Sequence, residues 1–149
     1  MKLPVSTIMM ALVLTLAGGA TLAAEAPQAR TPIKPIGDCM RIDQINEWHI
    51  VDNRTAIVRT GPKRYRVDLQ SDCPRLGIGP AGLTFRPNQS NAAIDATRIC
   101  GEVGETVHSR NQPPCAIQAV RIIDKAEFDR LSAQSRRSGS GADQPTGRP

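Results

Sequence analysis

The residues best suited to chemistry in this chain are its two histidines, His49 and His108. An imidazole can act as a general base near neutral pH or as a metal ligand. His49 lies three residues before Asp52, and His108 lies three residues after Glu105 and next to Ser109. Because each has a carboxylate nearby in sequence, one hypothesis is a small hydrolase that uses His108 or His49 as its general base.

Neither histidine belongs to a complete catalytic or metal-binding motif. The G-x-S-x-G motif of a nucleophilic serine does not occur in the sequence. A zinc site needs three or four protein ligands, and each local stretch around a histidine offers two at most. The sequence therefore predicts no catalytic residue and no metal site.

Residues 77–82 read GIGPAG and match the G-x-G-x-x-G pattern of dinucleotide-binding proteins. That site requires a strand before the glycines and a helix that opens among them. Here Pro74 precedes the motif and Pro80 interrupts it, while residues 83–85 have the composition of a strand. We interpret the segment as a glycine-rich loop and expect no cofactor.

The N-terminus has the order of features of a secretory signal peptide. Lys2 is followed by an apolar run over residues 8–17 and then by small residues. We expect a signal peptide over residues 1–24, with cleavage within residues 23–26. The run is too short to span a bilayer as a mature helix, so no transmembrane segment is predicted in the mature chain. These features predict a periplasmic or secreted protein.

Four cysteines follow the predicted signal peptide, at positions 39, 73, 100 and 115. An even number of cysteines in an exported protein predicts two disulfides, and three pairings are possible. We favour Cys39–Cys73 with Cys100–Cys115, because each bridge then closes a local excursion of the chain. A four-cysteine metal site would need paired C-x₂₋₄-C spacing, which does not occur here.

Composition divides the remaining chain into three parts. Residues 25–38 contain three prolines and little periodicity, so we predict a disordered linker. Residues 39–131 form the predicted single domain. Residues 132–149 are rich in Ser, Gly, Pro and Arg and are predicted to be a disordered tail, because they cannot bury enough apolar surface.

Alternating apolar residues predict a three-stranded meander at the start of the domain, with turns at Asp52-Asn53 and Gly61-Pro62-Lys63. If Val51 pairs with Thr55, Trp48 faces Val58 and Ile50 faces Ala56. If Thr60 pairs with Tyr65, Val58 faces Val67 and Ala56 faces Leu69. All seven apolar residues then share one face: Trp48, Ile50, Ala56, Val58, Tyr65, Val67 and Leu69.

Further short strands are expected at residues 83–85, 98–100, 105–109 and 115–123, with a loop at 86–95. Asp124 and Glu127 fit a capping box, and Phe128 and Leu131 provide one apolar face for a short helix docked on the sheet. The predicted fold is all-β or β-dominated. It is a small disulfide-stapled barrel or sandwich with an N-terminal meander and a short C-terminal helix.

The opposite face of the meander is polar and carries a candidate contact patch. Its residues are His49, Arg59, Arg64 and Arg66. Such a patch suits an envelope protein or a polyanion as partner. Nucleic acid is not expected, because the face offers few aromatic side chains for base stacking and the protein is predicted to be exported.

Several short motifs occur in order along the chain. They are C-x₅-I-x₂-W-x₃-D at residues 39–52, Y-x-V-x-L-x₃-C-x₂-L at 65–76, L-x-F-R at 83–86, I-C-G at 99–101 and C-x-I at 115–117. Together they resemble small exported proteobacterial proteins classed only as a domain of unknown function. The resemblance covers nearly all of residues 39–124. It implies export in a Gram-negative bacterium and a compact disulfide-bearing β domain, and it implies no activity, cofactor or substrate.

The leading hypothesis is therefore a non-enzymatic binding or structural protein of the cell envelope. The hydrolase that uses His108 or His49 is the alternative.

Overall fold

The structure is a computed structural model that describes residues 34–79, 82–109 and 112–141. The predicted signal peptide lies outside these residues, as do most of the predicted linker and residues 142–149 of the predicted tail.

Strands dominate the described part of the chain. They are β1 (Met40–Arg41), β2 (Ile45–Ile50), β3 (Thr55–Thr60), β4 (Lys63–Leu69), β5 (Thr84–Arg86), β6 (Arg98–Ile99), β7 (Thr106–His108), β8 (Cys115–Ile122) and β9 (Arg137–Gly139). The helices are α1 (Gln89–Asp95) and α2 (Lys125–Ala133). Seven strands form one antiparallel sheet in the order β5-β7-β8-β4-β3-β2-β9, and β1 pairs with β6. The seven-stranded sheet curls into a half-barrel. The prediction of a β-dominated fold with a C-terminal helix is confirmed.

The meander has the predicted faces but not the predicted register throughout. Trp48 pairs with Val58 as expected, whereas Val58 pairs with Tyr65 rather than with Val67. The β3–β4 turn contains only Gly61 and Pro62, which shifts the pairing by two residues. A shift of two preserves the face of every side chain, since strand side chains alternate with period two. All seven apolar residues accordingly lie in one buried cluster.

The favoured disulfide pairing is wrong: the bridges are Cys39–Cys100 and Cys73–Cys115. The pairing of β1 with β6, in which Met40 lies opposite Ile99, places Cys39 beside Cys100. The pairing of β4 with β8 likewise brings the segment after β4 to the start of β8. The bridges therefore follow strand pairing rather than proximity in sequence. Because they span 61 and 42 residues, the chain-entropy model assigns about 4 kcal/mol to each.

Two further predictions fail at the ends of the domain. Residues 36–38 of the predicted linker form a 3₁₀ turn, and Lys34 Nζ donates to the backbone oxygen of Val120. The predicted tail continues α2 to Ala133 and then forms β9, which pairs with β2. Local composition predicted disorder at both ends, but at the C-terminal end the open edge of β2 offers backbone groups that even a polar segment can satisfy.

The predicted loop at residues 86–95 is also wrong in part, because residues 89–95 form α1. Asn88 caps this helix, and its side-chain oxygen accepts a hydrogen bond from the backbone N–H of Asn91 at 2.7 Å. An asparagine at this position satisfies one of the free N–H groups of the first helical turn.

Glycines enclose the indole of Trp48, which is 5% exposed. A Cβ atom at Gly77 would lie 2.8 Å from Trp48 Cζ3, and one at Gly82 would lie 3.3 Å from Cζ2. A Cβ atom at Gly139 in β9 would lie 2.6 Å from Cε2. The glycine-rich loop and β9 can therefore approach Trp48 only because these positions have no side chain.

This packing predicts that Gly139→Ala destabilises the protein by about 1–3 kcal/mol, because the added methyl group overpacks the site. Chemical denaturation measures the free energy of unfolding, and fluorescence of Trp48 reports exposure of the indole. Gly37→Ala is the matched control, since a Cβ atom there meets nothing within 4 Å. Equal effects of the two substitutions would contradict the packing argument.

Candidate functional site

His49 does not point into solvent as predicted. Helix α2 covers part of the polar face of the sheet, where Phe128 and Leu131 pack against Ile57. The His49 side chain is 15% exposed, and its ring meets that of Phe128 edge to face at 5.7 Å between centroids. The apolar pair Ile57 and Phe128 thus places a helix over a face whose other residues are mostly polar.

His49 nevertheless lies between a carboxylate and a hydroxyl group. Its Nε2 atom is 2.7 Å from Glu47 Oε1, and its Nδ1 atom is 3.4 Å from Ser135 Oγ. Glu47 also accepts a hydrogen bond from Arg59 at 2.7 Å. The hydrogen bond with His49 and then that with Arg59 hold the pKa of Glu47 below its ordinary value.

The surroundings of Ser135 do not favour acyl transfer. Its backbone N–H donates to Ser132 O, and that of Arg136 donates to Ile50 O, so neither is free to bind an oxyanion. Ser135 also follows the C-terminus of α2, where the helix dipole is negative. The row from Glu47 through His49 to Ser135 links β2 to the end of α2.

His108 lies in β7, opposite Thr84 of β5. Its Nδ1 atom is buried and has no hydrogen-bond partner in the described part of the chain. Burial, and then the charge of Arg86, lower the pKa of His108. The neutral imidazole is therefore favoured in the folded protein.

Glu105, the carboxylate expected near His108, is 0% exposed and is held by backbone groups instead. Its carboxylate accepts hydrogen bonds from the N–H groups of Cys100, Gly101 and Glu102 at 2.6–3.1 Å. Asn91 Nδ2 donates a further bond at 3.1 Å. These bonds fix the loop that carries the Cys39–Cys100 bridge. This role of Glu105 was not predicted, because nothing in the neighbouring sequence marks Glu105 as a buried carboxylate.

The arginines of the predicted contact patch form ion pairs, hydrogen bonds or a ring contact with neighbouring residues. Arg59 is paired with Glu47, and Arg66 donates to Asp68 Oδ1 at 2.7 Å. Arg64 donates to the Pro62 oxygen at 3.2 Å and lies over the Phe128 ring, 6.0 Å from its centroid. The predicted patch therefore does not present a continuous row of free positive charge.

Arg66 lines a cleft of about 730 Å³ on the same side of the sheet. Its floor includes Thr55, Asp68 and Ala119, which lie opposite one another on β3, β4 and β8. The charged residues of the lining are Arg54, Arg66, Arg121, Arg136, Asp52, Asp68 and Asp72. The cleft thus collects four arginines and three aspartates from strands, the β2–β3 turn, the segment after β4 and the segment after α2.

Most of these charges have a partner. In addition to the Arg66–Asp68 pair, Arg121 is paired with Glu127 of α2 at 2.8 Å. Arg54 donates to the Gln70 backbone oxygen at 2.9 Å. The side chains of Arg136 and Asp72 form no hydrogen bond or ion pair within the residues that the structure describes. They are the cleft groups most available to a ligand.

The comparison with protein families yields a match. The model of a family of unknown function, DUF6491, matches residues 1–139. The chain belongs to this family. The match confirms the suspected domain of unknown function, and its range ends at the last residue of β9. Neither a curated protein nor a solved structure matches this DUF6491 chain.

Two classes of feature are not found in the described part of this DUF6491 protein. No group of three or more His, Cys, Asp or Glu side chains is placed to hold a metal ion. No helix among the residues at 34–79, 82–109 and 112–141 is long and apolar enough to cross a membrane.

Of the four cleft arginines, one, Arg66, belongs to the contact patch predicted from the sequence. Arg136 was assigned to a disordered tail, and Arg54 and Arg121 lie outside the meander face that defined the patch. Their grouping depends on the pairing of β4 with β8 and on the path of the chain after α2. The alternating pattern of the meander predicts neither the β4–β8 pairing nor the path of the chain after α2.

Glu105→Gln is expected to destabilise the protein by about 3 kcal/mol, because an amide replaces a buried acceptor of charge-assisted hydrogen bonds. Denaturant unfolding measures the loss. Glu102→Gln is the control, since this exposed side chain retains an acceptor oxygen for Asn88 and Asn91. An equally small effect at both positions would show that the buried carboxylate does not fix the loop.

His108 predicts a pH dependence of stability. Its folded-state pKa lies below the ordinary value of 6.5, so the unfolded chain takes up this proton first as the pH falls. His108 therefore contributes a loss of stability as the pH falls below about 6.5. His108→Gln should reduce the slope of unfolding free energy between pH 7 and pH 5. Glu47 affects only lower pH, because its ordinary pKa is 4.5. Identical slopes for both proteins would refute the assignment.

Proposed function

We propose that this DUF6491 protein is a non-enzymatic binding domain of the cell envelope, periplasmic or secreted, and that its ligand binds in the arginine-lined cleft. The single observation that carries the proposal is the Arg136 guanidinium, unpaired among the described residues, in a cleft of about 730 Å³ with three further arginines. Arginine binds carboxylate and phosphate groups in a bidentate manner. The volume lies in the range of clefts that hold small organic ligands.

Two features support a location outside the cytoplasm. The described domain contains two disulfides, which persist in oxidising compartments and are rare in the cytosol. The first residues have the order of features of a signal peptide, with Lys2 before an apolar run.

The hydrolase alternative has weaker support from the site geometry. Thr55 is the only hydroxyl side chain in the cleft lining, and the lining contains no imidazole or thiol. His49 has both a carboxylate and a hydroxyl neighbour, but it lies under α2 and the backbone N–H groups beside Ser135 are occupied. His108 has no carboxylate partner in the described residues.

A charge-reversal variant tests the proposal. Arg136→Glu should weaken binding of short polyglutamate or polyphosphate chains about tenfold or more, because it replaces one charge-assisted contact with repulsion. Isothermal titration calorimetry at low and high salt measures the affinity, and binding should weaken as salt screens the charges.

Arg75→Glu provides the matched control. Arg75 is exposed, lies outside the cleft lining and has no side-chain partner in the described residues. The same charge change at this position should reduce affinity much less than Arg136→Glu. Equal losses would show general surface attraction. No binding of any carboxylate- or phosphate-bearing probe, including one that also carries a positive charge, would contradict a binding cleft.

A further inference from the structure

The carboxylates in the cleft restrict the chemistry of its ligand. Four arginines and three aspartates leave a formal balance of one positive charge, 4 − 3 = +1. A ligand with only negative charges would approach three carboxylates as well as the arginines. Like charges brought together in this way oppose binding. A long polyanion is therefore a poor match to the cleft as a whole.

The pairing within the cleft defines the charges that a ligand meets. Asp68 is already neutralised by Arg66, and Arg121 is held by Glu127. The two cleft side chains without a partner in the described segments have opposite charges, Arg136 and Asp72. Arg54 and Asp52, one charge of each sign, bond only to backbone groups, so the cleft presents both signs of charge to a ligand.

The cleft lining also contains residues with small or uncharged side chains. Thr55 and Ala119 lie on the floor, and Gln118 completes this part of the lining. Because these side chains project little or carry no charge, an extended ligand can lie across them with its charged groups directed to the walls. Gln118 and Thr55 can also form hydrogen bonds with amide groups.

From these observations we infer that the ligand is a short peptide that carries both a carboxylate and an ammonium group. Arg136 binds the carboxylate, and Asp72 binds the ammonium group. This inference rests on the proposed function, because it assigns a ligand class to the same cleft.

The test uses three forms of one tetrapeptide, Ala-Glu-Lys-Ala. The first has free termini and side chains. The second has its N-terminus and lysine acetylated, so that only negative charges remain. The third has its C-terminus amidated and its glutamate replaced by glutamine, so that only positive charges remain. Calorimetry gives the affinities, and the backbone amide shifts of Gln118 and Ala119 show whether each probe occupies the cleft.

The free peptide should bind at least tenfold more tightly than either modified form. Asp72→Asn should remove the preference for the free peptide over the acetylated form, because it removes the partner of the ammonium group and also relieves repulsion of the acetylated form. Arg136→Gln should remove the preference over the amidated form. The unfolding transition of each variant verifies that it is folded.

The outcomes separate this inference from the proposed function. If the acetylated form or polyglutamate binds as tightly as the free peptide and Arg136→Gln weakens it, the ligand is an anion and the peptide inference fails alone. If no probe shifts the cleft amides and Arg136 variants change nothing, the cleft is not a binding site and both proposals fail.

Discussion

The contact between Trp48 and three glycines is the constraint on which the β9 edge of the sheet depends. Gly77 and Gly82 belong to the loop after β4, and Gly139 belongs to β9. The buried indole of Trp48 therefore contacts two segments that are far apart in sequence. Strand β9 has the sequence Arg-Ser-Gly, which has little intrinsic preference for extended structure. Its position depends on pairing with β2 and on the close approach that Gly139 allows.

Two hydrogen-bonded contacts support the same arrangement. Ser109 Oγ accepts from the Gly77 N–H at 2.7 Å and donates to the Gly82 oxygen at 2.9 Å. Arg137 of β9 donates to the Leu76 oxygen at 2.8 Å. The loop thus forms hydrogen bonds with Ser109, the residue after β7, and with Arg137 of β9. Because Arg136 directly precedes β9, the geometry that encloses Trp48 also places Arg136 in the cleft.

The alternation of apolar residues was sufficient to predict the inner face of the meander. A two-residue error in pairing Val58 left that face unchanged, because strand side chains repeat with period two. The β1–β6 pairing that joins Cys39 to Cys100 could not be predicted in this way, since both strands contain two residues and neither shows a period. Short strands take their partners from the surrounding fold, and the disulfide follows the partner.

The candidate site, too, depends on contacts that the local sequence pattern does not predict. The faces of His49 and Arg66 were predicted correctly, but the prediction treated that face as open. The apolar residue Ile57 on this face was the available signal that something packs there, and Phe128 of α2 does so. Arg136 offered no local signal, because a Ser, Gly and Arg segment has the composition of a disordered tail. The position of this segment is set by backbone pairing with β2, which a side-chain pattern does not reveal.

Helix α2 covers part of this face of the sheet, and the segment after it contributes Arg136 to the cleft. A flat antiparallel face exposes its side chains to water and offers a ligand contact from one side only. Here Arg136, whose backbone N–H donates to Ile50 O, and Asp52 of the β2–β3 turn lie at the β2 side of the cleft, and Asp68 of β4 lies on its floor. The family match extends to Gly139 and so includes α2 and Arg136. This cleft, rather than the arginine row of the meander, is therefore the part of the structure to which we assign the proposed ligand.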